Sequence, residues 1–109
     1  MAETYSVRVT PQAQAHLREI RDYIRDELCA PEAAIRLMEL MKSVMGPLSS
    51  MPARTPAAGQ PVQGKTLRRI RATNFWIYFW IDEPHKTVHI IAVLYGKRDQ
   101  GQALNHLDF

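Results

Sequence analysis

Cationic side chains in the second half of the sequence are the residues most able to do chemistry. They are Arg68, Arg69, Arg71, Lys97 and Arg98. Such a patch can bind nucleic acid phosphates, an acidic protein, or only water. Because arginine does not deprotonate in proteins, proton transfer would fall to other side chains. The candidates for it are Tyr78, Tyr95, His89 and His106. The pattern leaves all three alternatives open, and catalysis would require one of these groups to lie beside the cations.

The length and composition favour one domain. The chain has 109 residues, and its net charge of +3 comes from 14 Lys and Arg against 11 Asp and Glu. A chain of this size closes a single modest core. No stretch approaches the roughly 18 apolar residues that a membrane helix needs, and the first residues do not read as a signal peptide. We therefore expect one domain over residues 1–109, located in the cytoplasm and without membrane contact.

Neither a disulfide nor a metal site is predicted. The single cysteine, Cys29, excludes an internal disulfide and any metal site built on cysteines, and it suits a reducing compartment. The four histidines show no metal-ligand spacing. We expect no metal and no cofactor.

The first half of the sequence predicts a strand followed by two helices. Residues 5–9 alternate with a period of two, as in a strand. Thr10 and Pro11 then begin a helix, as its N-cap and its first residue, and apolar residues recur every three or four positions as far as Leu28. Pro31 begins a second helix in the same way, with a stripe that ends at Leu48. Because the connection is short, the two helices should form an antiparallel hairpin.

The second half predicts a sheet. After a proline-containing loop over residues 52–64, three strands are expected at Thr66–Ala72, Phe75–Asp82 and Thr87–Tyr95. The short turns between them indicate an antiparallel meander, and the tail from Asp99 to Phe109 has a weak helical pattern. The order β-α-α-β-β-β with a short C-terminal helix predicts an α+β fold, in which the helix hairpin packs on one face of a small, mainly antiparallel sheet.

The middle strand is apolar on both faces. Alternation places Phe75, Ile77, Phe79 and Ile81 on the face under the helices and Trp76, Tyr78 and Trp80 on the other. In the next strand we assign Val88, Ile90, Ala92 and Leu94 to one face and His89, Ile91, Val93 and Tyr95 to the other. An apolar face of this size must be shielded. Either the chain's own tail covers it, with Leu104, Leu107 and Phe109, or another chain does, anchored on the Trp and Tyr rings.

Two arginines are expected on this second face. If Ile70 faces the core, Arg69 and Arg71 lie on the opposite side of their strand, beside the aromatic rings. Arginine beside aromatic rings suits nucleic acid and equally suits an acidic partner protein.

The run from Leu67 to Phe79 resembles the central hairpin of the RelE/ParE toxins of bacterial type II toxin–antitoxin systems, a family that includes plasmid stabilisation proteins. The run from Val93 to Asp99, followed by Ala103 and Leu104, resembles the closing motif of the ParE branch, a Gly-x-Arg-Asp segment before a leucine-bearing tail. The early strand and helix hairpin agree with it. The resemblance covers nearly the whole chain and implies the RelE/ParE-like fold.

The family implies two different activities. RelE-like members cut messenger RNA in the ribosomal A site, whereas ParE-like members poison DNA gyrase by binding it. This sequence has Trp76 where RelE-like chains usually carry an arginine, and Leu104 where they often carry a catalytic tyrosine. We therefore favour a ParE-like growth inhibitor directed at gyrase. A RelE-like mRNA interferase is the alternative, and a member that binds its antitoxin without being toxic is a third interpretation.

The resemblance also assigns residues. In the ParE-like interpretation the target contacts are Arg69, Arg71, Lys97, Arg98 and Asp99. In the RelE-like interpretation the partners are the ribosome and mRNA, and the catalytic set is Arg69, Arg71, Lys97, Arg98 and Tyr95. In both, a cognate antitoxin is expected on Trp76, Tyr78, Trp80, Leu104 and Leu107. The chain would then form a toxin–antitoxin hetero-oligomer or, through the same face, a homodimer.

Overall fold

A computed structural model describes residues 4–97, 100–105 and 107 of the chain. The elements within these residues follow the predicted order. They are β1 (Ser6–Val9), α1 (Pro11–Asp22), α2 (Pro31–Met45), β2 (Arg68–Ala72), β3 (Phe75–Asp82), β4 (Thr87–Tyr95) and α3 (Gln100–Asn105). The predictions that concern Arg98, Asp99, His106 and Phe109 lie outside the described residues.

The described strands form a four-stranded sheet in the order β1-β4-β3-β2. β3 pairs antiparallel with both β2 and β4, whereas β1 pairs parallel with β4. A parallel neighbour requires a crossover, and the hairpin of α1 and α2 supplies it and covers one face of the sheet. The predicted α+β fold with a mainly antiparallel sheet is confirmed.

The first helix departs from the prediction at its C-terminal end. It begins as expected, since the Thr10 side chain accepts a hydrogen bond from Ala13 N–H. However, α1 ends at Asp22, and a wider turn, the π-turn (Tyr23–Glu27), follows it. There the N–H of Leu28 donates to the carbonyl of Tyr23, five residues back (3.1 Å). The helix is thus shorter than predicted, but Ile20, Ile24 and Leu28 still line one surface, so the apolar stripe reaches Leu28 at an exposed end. Leu28 is 56% exposed.

A β-bulge in β4 overturns the predicted faces of that strand. Tyr78 pairs with Ala92 but Phe79 pairs with Ile90, so Ile91 is an extra residue opposite β3. A bulge shifts the alternation of all side chains beyond it. Assigning one face to the whole set of Val88, Ile90, Ala92 and Leu94 is therefore wrong. Val88, Ile90 and Val93 pack under the helices, and Ile91, Ala92 and Leu94 pack on the opposite face.

Two side chains of α1 bond to the backbone at this bulge. Gln12 Nε2 donates to the carbonyl of Ile91 (3.0 Å), and the N–H of Val93 donates to His16 Nδ1 (3.2 Å). Gln12 and His16 are four residues apart and so share one face of the helix. A bulge leaves backbone groups outside the ladder, and these side chains satisfy them. The position of α1 and the bulge are therefore coupled.

The sheet carries a hydrophobic cluster on each face. Under the helices the buried residues include Ala13, Met41, Met45, Ile77, Phe79 and Ile90. On the opposite face, which we call the tail face, they are Leu67, Tyr78, Ile91, Ala92, Leu94, Ala103, Leu104 and Leu107. Of the two ways to shield the second aromatic face, the chain thus uses its own tail over the part around Tyr78.

The β3–β4 turn is fastened by charged side chains. Asp82 Oδ2 lies 2.9 Å from His85 Nδ1 and 3.3 Å from His89 Nε2. Partial burial of Asp82 opposes its ionisation, but the hydrogen bonds to His85 and His89 outweigh that effect and lower its pKa. Hydrogen bonds from Lys86 and from the Tyr5 hydroxyl likewise lower the pKa of Glu83. The turn is thereby tied to the chain just before β1.

The contact at the bulge predicts that His16→Phe destabilises the fold. The variant keeps an aromatic ring but removes the acceptor of the buried Val93 N–H, which costs about 1–3 kcal/mol of unfolding free energy. Urea denaturation measures the difference, with Arg18→Ala on the exposed side of α1 as the control. Equal unfolding midpoints for the wild type and the His16 variant would contradict this role.

The contacts of Asp82 predict a loss of stability in acid. Because its pKa in the folded chain lies below the ordinary 3.8, ionised Asp82 stabilises the fold above that value, and the contribution disappears as the pH falls through the lowered pKa. Asp82→Asn should therefore be less stable than the wild type at neutral pH, and the gap should close in acid. Thermal melts across this range test it, with Glu39→Gln on α2 as the control. A gap that does not change with pH would rule the explanation out.

Candidate functional site

Three of the predicted site residues stand together at one edge of the tail face. Arg69 lies opposite Tyr78 and Arg71 lies opposite Trp76, while Ile70 pairs with Ile77 and packs towards the helices. The unbroken alternation of β2 therefore places both arginines on the tail face, as the sequence indicated. We call Arg69, Arg71 and Lys97 the cationic cluster.

The indole ring of Trp76 holds the two guanidinium groups. The Arg69 guanidinium carbon lies 4.0 Å from the ring centroid and that of Arg71 lies 5.1 Å from it. Arg71 Nε also donates to the carbonyl of Thr73 (2.8 Å), in the turn where Thr73 has a φ of 52°. Cation–π contacts and this hydrogen bond fix the two charges before any ligand binds.

The Tyr78 hydroxyl is already engaged within the chain. It donates to Gln100 Oε1 (2.7 Å) and accepts from Arg69 Nη1 (3.3 Å), and the residue is 1% exposed. Gln100 Nε2 in turn donates to the carbonyl of Tyr95 (2.8 Å). These bonds attach the start of α3 to the sheet, and they leave the Tyr78 hydroxyl without access to an external substrate.

A small cationic pocket lies beside the β2–β3 turn. Its volume is about 150 Å³, and it is lined by Arg71, Asn74, Tyr95, Gly96 and Lys97. Gly96 N–H donates to the carbonyl of Asn74 (2.7 Å), and a Cβ on Gly96 would lie 3.0 Å from that same oxygen. A side chain at this position would crowd that oxygen, so glycine favours the close approach, which brings Lys97 into one pocket with Arg71.

The histidine candidate for proton transfer lies elsewhere. His89 stacks on Trp80 with ring centroids 4.6 Å apart and bonds to Asp82. Trp80 is four residues along β3 from Trp76, a separation of about 13 Å. Lys65 lies over the Trp80 ring (4.3 Å). The structure thus keeps His89 and the predicted antitoxin contact Trp80 apart from the cationic cluster.

An exposed apolar groove was not predicted from the sequence. It has a volume of about 580 Å³ and is lined by Glu19, Ile20, Tyr23, Ile24, Leu28, Asn74, Phe75 and Tyr95. Tyr23, Leu28 and Tyr95 are 57%, 56% and 43% exposed. We call it the hairpin-end groove. Its only signal in the sequence is the pair of apolar side chains, Tyr23 and Leu28, just before the helix connection. It shares Asn74 and Tyr95 with the cationic pocket.

Within residues 4–97, 100–105 and 107, no group of three or more His, Cys, Asp and Glu side chains is arranged to hold a metal ion. Among the helices of the same residues, none combines the length and apolar character that spanning a bilayer requires.

The fold is similar to those of several solved toxin–antitoxin structures. The fold matches a chain of the chromosomal ParDE toxin–antitoxin system from P. aeruginosa with a TM-score of 0.70 at 21% identity, over 85% of this chain and 97% of that one. It matches the toxin–antitoxin complex RelBE2 from Mycobacterium tuberculosis with a TM-score of 0.57 at 22% identity, over 84% and 98% of the two chains. The archaeal RelE–RelB complex from Pyrococcus horikoshii gives 0.54 at 17% identity, over 87% and 98%.

At these identities the structures establish the fold alone. No curated protein gives a significant match to the sequence. The family model described as the ParE toxin of the type II toxin–antitoxin system parDE matches residues 7–100. Since that match spans most of the chain, the protein belongs to the ParE toxin family of type II toxin–antitoxin systems.

Proposed function

We propose that this chain inhibits bacterial growth by binding DNA gyrase in the cytoplasm, and that a cognate antitoxin neutralises it. The proposal rests on a cluster of fixed cations beside which two of the candidate proton-transfer groups, Tyr78 and His89, are not available. Arg69 and Arg71 are held on Trp76, the Tyr78 hydroxyl is buried and bonded, and His89 lies at the other end of the sheet.

RNA cleavage requires proton transfer as well as positive charge. The 2′-hydroxyl must lose a proton, the negative phosphorane must be stabilised, and the leaving oxygen must gain a proton. The cationic cluster supplies only the second requirement. A cluster that binds an anionic surface without transforming it suits a toxin that acts by binding.

One observation favours the alternative, a RelE-like ribosome-dependent endoribonuclease. Tyr95 is 43% exposed and lines the same pocket as Arg71 and Lys97. In that reaction its hydroxyl would transfer the proton and the two cations would stabilise the phosphate.

The antitoxin is proposed to cover the hairpin-end groove and the half-buried rings of Trp76 and Trp80. The M. tuberculosis and P. horikoshii relatives are themselves complexes of this kind. The other predicted antitoxin contacts, Tyr78, Leu104 and Leu107, pack on one another within the chain. They would reach an antitoxin only after the tail is displaced. Because the tail occupies this face, we propose the hetero-oligomer and not the homodimer.

Pulse-labelling after induction of the chain tests the target. DNA synthesis should fall within minutes and before protein synthesis, because a poisoned gyrase stops replication first. The reverse order would reject gyrase as the target and support the ribonuclease.

Charge variants provide the control for this experiment. Arg71→Ala combined with Lys97→Ala should abolish growth arrest, because the proposed target contact loses two cations. Arg18→Ala combined with Arg36→Ala removes the same charge from exposed helix positions and should leave the arrest intact. If both double variants arrest growth equally, the cationic cluster is not the target contact.

The antitoxin surface has its own test. Tyr23→Ser combined with Leu28→Ser should weaken binding of the antitoxin, the product of a small adjacent reading frame, by more than about tenfold, because each apolar anchor contributes about 1 kcal/mol or more. Ile35→Ser combined with Met51→Ser removes residues that are 60% and 56% exposed outside the groove and should not change the affinity. Calorimetry compares the two. Equal affinities would place the antitoxin elsewhere.

A further inference from the structure

The hairpin-end groove has the size and lining of a small-molecule site. Its volume of about 580 Å³ lies within the range of about 300–1,000 Å³ that is typical of ligand clefts. One wall comes from α1 and the π-turn, and the other comes from the start of β3 and the end of β4. Six of its eight lining residues are apolar or aromatic, and the polar ones are Glu19 and Asn74. Such a lining favours a ligand that is mostly apolar and is oriented by a few polar contacts.

The groove adjoins the cationic pocket. Asn74 and Tyr95 line both cavities, and the Phe75 and Tyr95 rings are tilted with their centroids 5.7 Å apart. Arg71 and Lys97 line the pocket of about 150 Å³ but not the groove. Because a water molecule takes up about 30 Å³, this pocket suits one small anionic group with some hydration. An apolar space thus leads into a cationic one.

The two cations of this pocket have no counter-ion in the part of the chain that the structure describes. Neither Arg71 nor Lys97 forms an ion pair with any of these residues. Arg71 is held through its Nε, which donates to the Thr73 carbonyl, and through its cation–π contact with Trp76. Its two terminal nitrogens donate to none of the described residues. They can therefore donate two hydrogen bonds to a carboxylate, and Lys97 adds a second positive charge.

The charges also define how such a ligand would be oriented. Among the described residues that line the two cavities, Glu19 is the acidic one, and it lines the groove and not the cationic pocket. An anionic group is repelled by Glu19 and attracted by Arg71 and Lys97. A linear ligand with one anionic end therefore lies with that end beside Arg71 and with its apolar chain along the groove.

We propose that the groove and the cationic pocket together bind a free fatty carboxylate. Its carboxylate accepts hydrogen bonds from Arg71 and pairs with Lys97, and its chain packs on Ile24, Leu28 and Tyr95. Leu28 and Tyr95 are 56% and 43% exposed, so burying them together with the chain supplies the apolar part of the affinity. The binding does not depend on the proposed function. Its regulatory consequence rests on that function, because the ligand occupies surfaces proposed for the antitoxin and for the target.

The surrounding charges favour a free carboxylate over a membrane or a nucleic acid. An anionic lipid surface attracts clusters of unpaired basic residues. Beside the groove, on α1 and the π-turn, Arg21 pairs with Asp22 and Arg25 pairs with Asp26, so these cations are already neutralised. A nucleic acid would bind Arg71 and Lys97, but it has no flexible apolar chain to fill the groove. A single fatty carboxylate matches both parts of the site.

Titration with alkyl carboxylates tests the proposal with the full chain. Hexanoate, octanoate and decanoate are added to isotope-labelled protein below their micelle concentrations, and binding is followed by NMR. Saturable shifts should centre on the amides of Leu28, Asn74 and Gly96. Each two added carbons should tighten binding at least about fourfold, because a half-buried methylene contributes about twofold. Octanol keeps the chain without the charge and should bind about tenfold more weakly than octanoate.

Two double variants separate the carboxylate contacts from the chain contacts. Arg71→Gln with Lys97→Gln should weaken octanoate binding by about tenfold and leave octanol binding unchanged, because only the carboxylate loses its partners. Tyr23→Ser with Leu28→Ser should weaken binding of both ligands alike. Lys97→Gln alone, at an exposed position, should show a smaller loss of octanoate binding than the double variant, and urea unfolding midpoints show that each variant is folded.

Several results would overturn the proposal. They are absence of saturable binding, equal affinity for octanoate and octanol, an affinity that does not change with chain length, and an equal loss of octanoate binding in the control Arg18→Gln with Arg36→Gln. Growth arrest and its order of effects are measured separately. If octanoate fails to bind while DNA synthesis still falls first, this inference is wrong and the proposed function stands. If octanoate binds while protein synthesis falls first, the site stands and the proposed target is wrong.

Discussion

The extra residue in β4 determines which face of the sheet each later side chain of that strand occupies. Before Ile91 the strand presents Val88 and Ile90 to the helices, and after it Ala92 and Leu94 face the opposite side. A regular strand would have left the tail face without Ala92 and Leu94 and placed Val93 there instead. The bulge is stable because Gln12 and His16 satisfy its backbone. One face of α1 thus stabilises the register of β4 against β3, on which both hydrophobic clusters depend.

The second cluster has a consequence for the surface around it. Because Ala103, Leu104 and Leu107 use the tail face as their own core, only its margins remain available to partners. One margin carries Arg69, Arg71 and Lys97, and the other carries Trp80, His89 and Lys65. The apolar surface available to a partner is displaced to the far side of Tyr95, in the hairpin-end groove. The fold therefore separates a cationic surface from an apolar one.

The sequence predicted what depends on local pattern. Periods of two and of three to four located the strands and helices, and the alternation of β2, which has no bulge, placed Arg69 and Arg71 correctly. The bulge was missed because Ile91, Ala92 and Val93 are all ordinary strand residues, and only pairing with β3 shows that one of them is extra. The parallel pairing of β1 with β4 and the groove beside the π-turn likewise depend on contacts between distant segments.

Because of the π-turn, the shape of this groove depends on the number of residues in one helical turn. A π-turn is an α-helix with one inserted residue, so loss of a single codon within Tyr23–Glu27 would restore a regular helix. The following residues would rotate by roughly 100°, and Leu28 would leave the groove. The turn also contacts α2, so the packing of α2 would have to adjust to the change. A single in-frame deletion at this turn would therefore reshape the apolar groove without replacing any of the side chains contributed by the sheet.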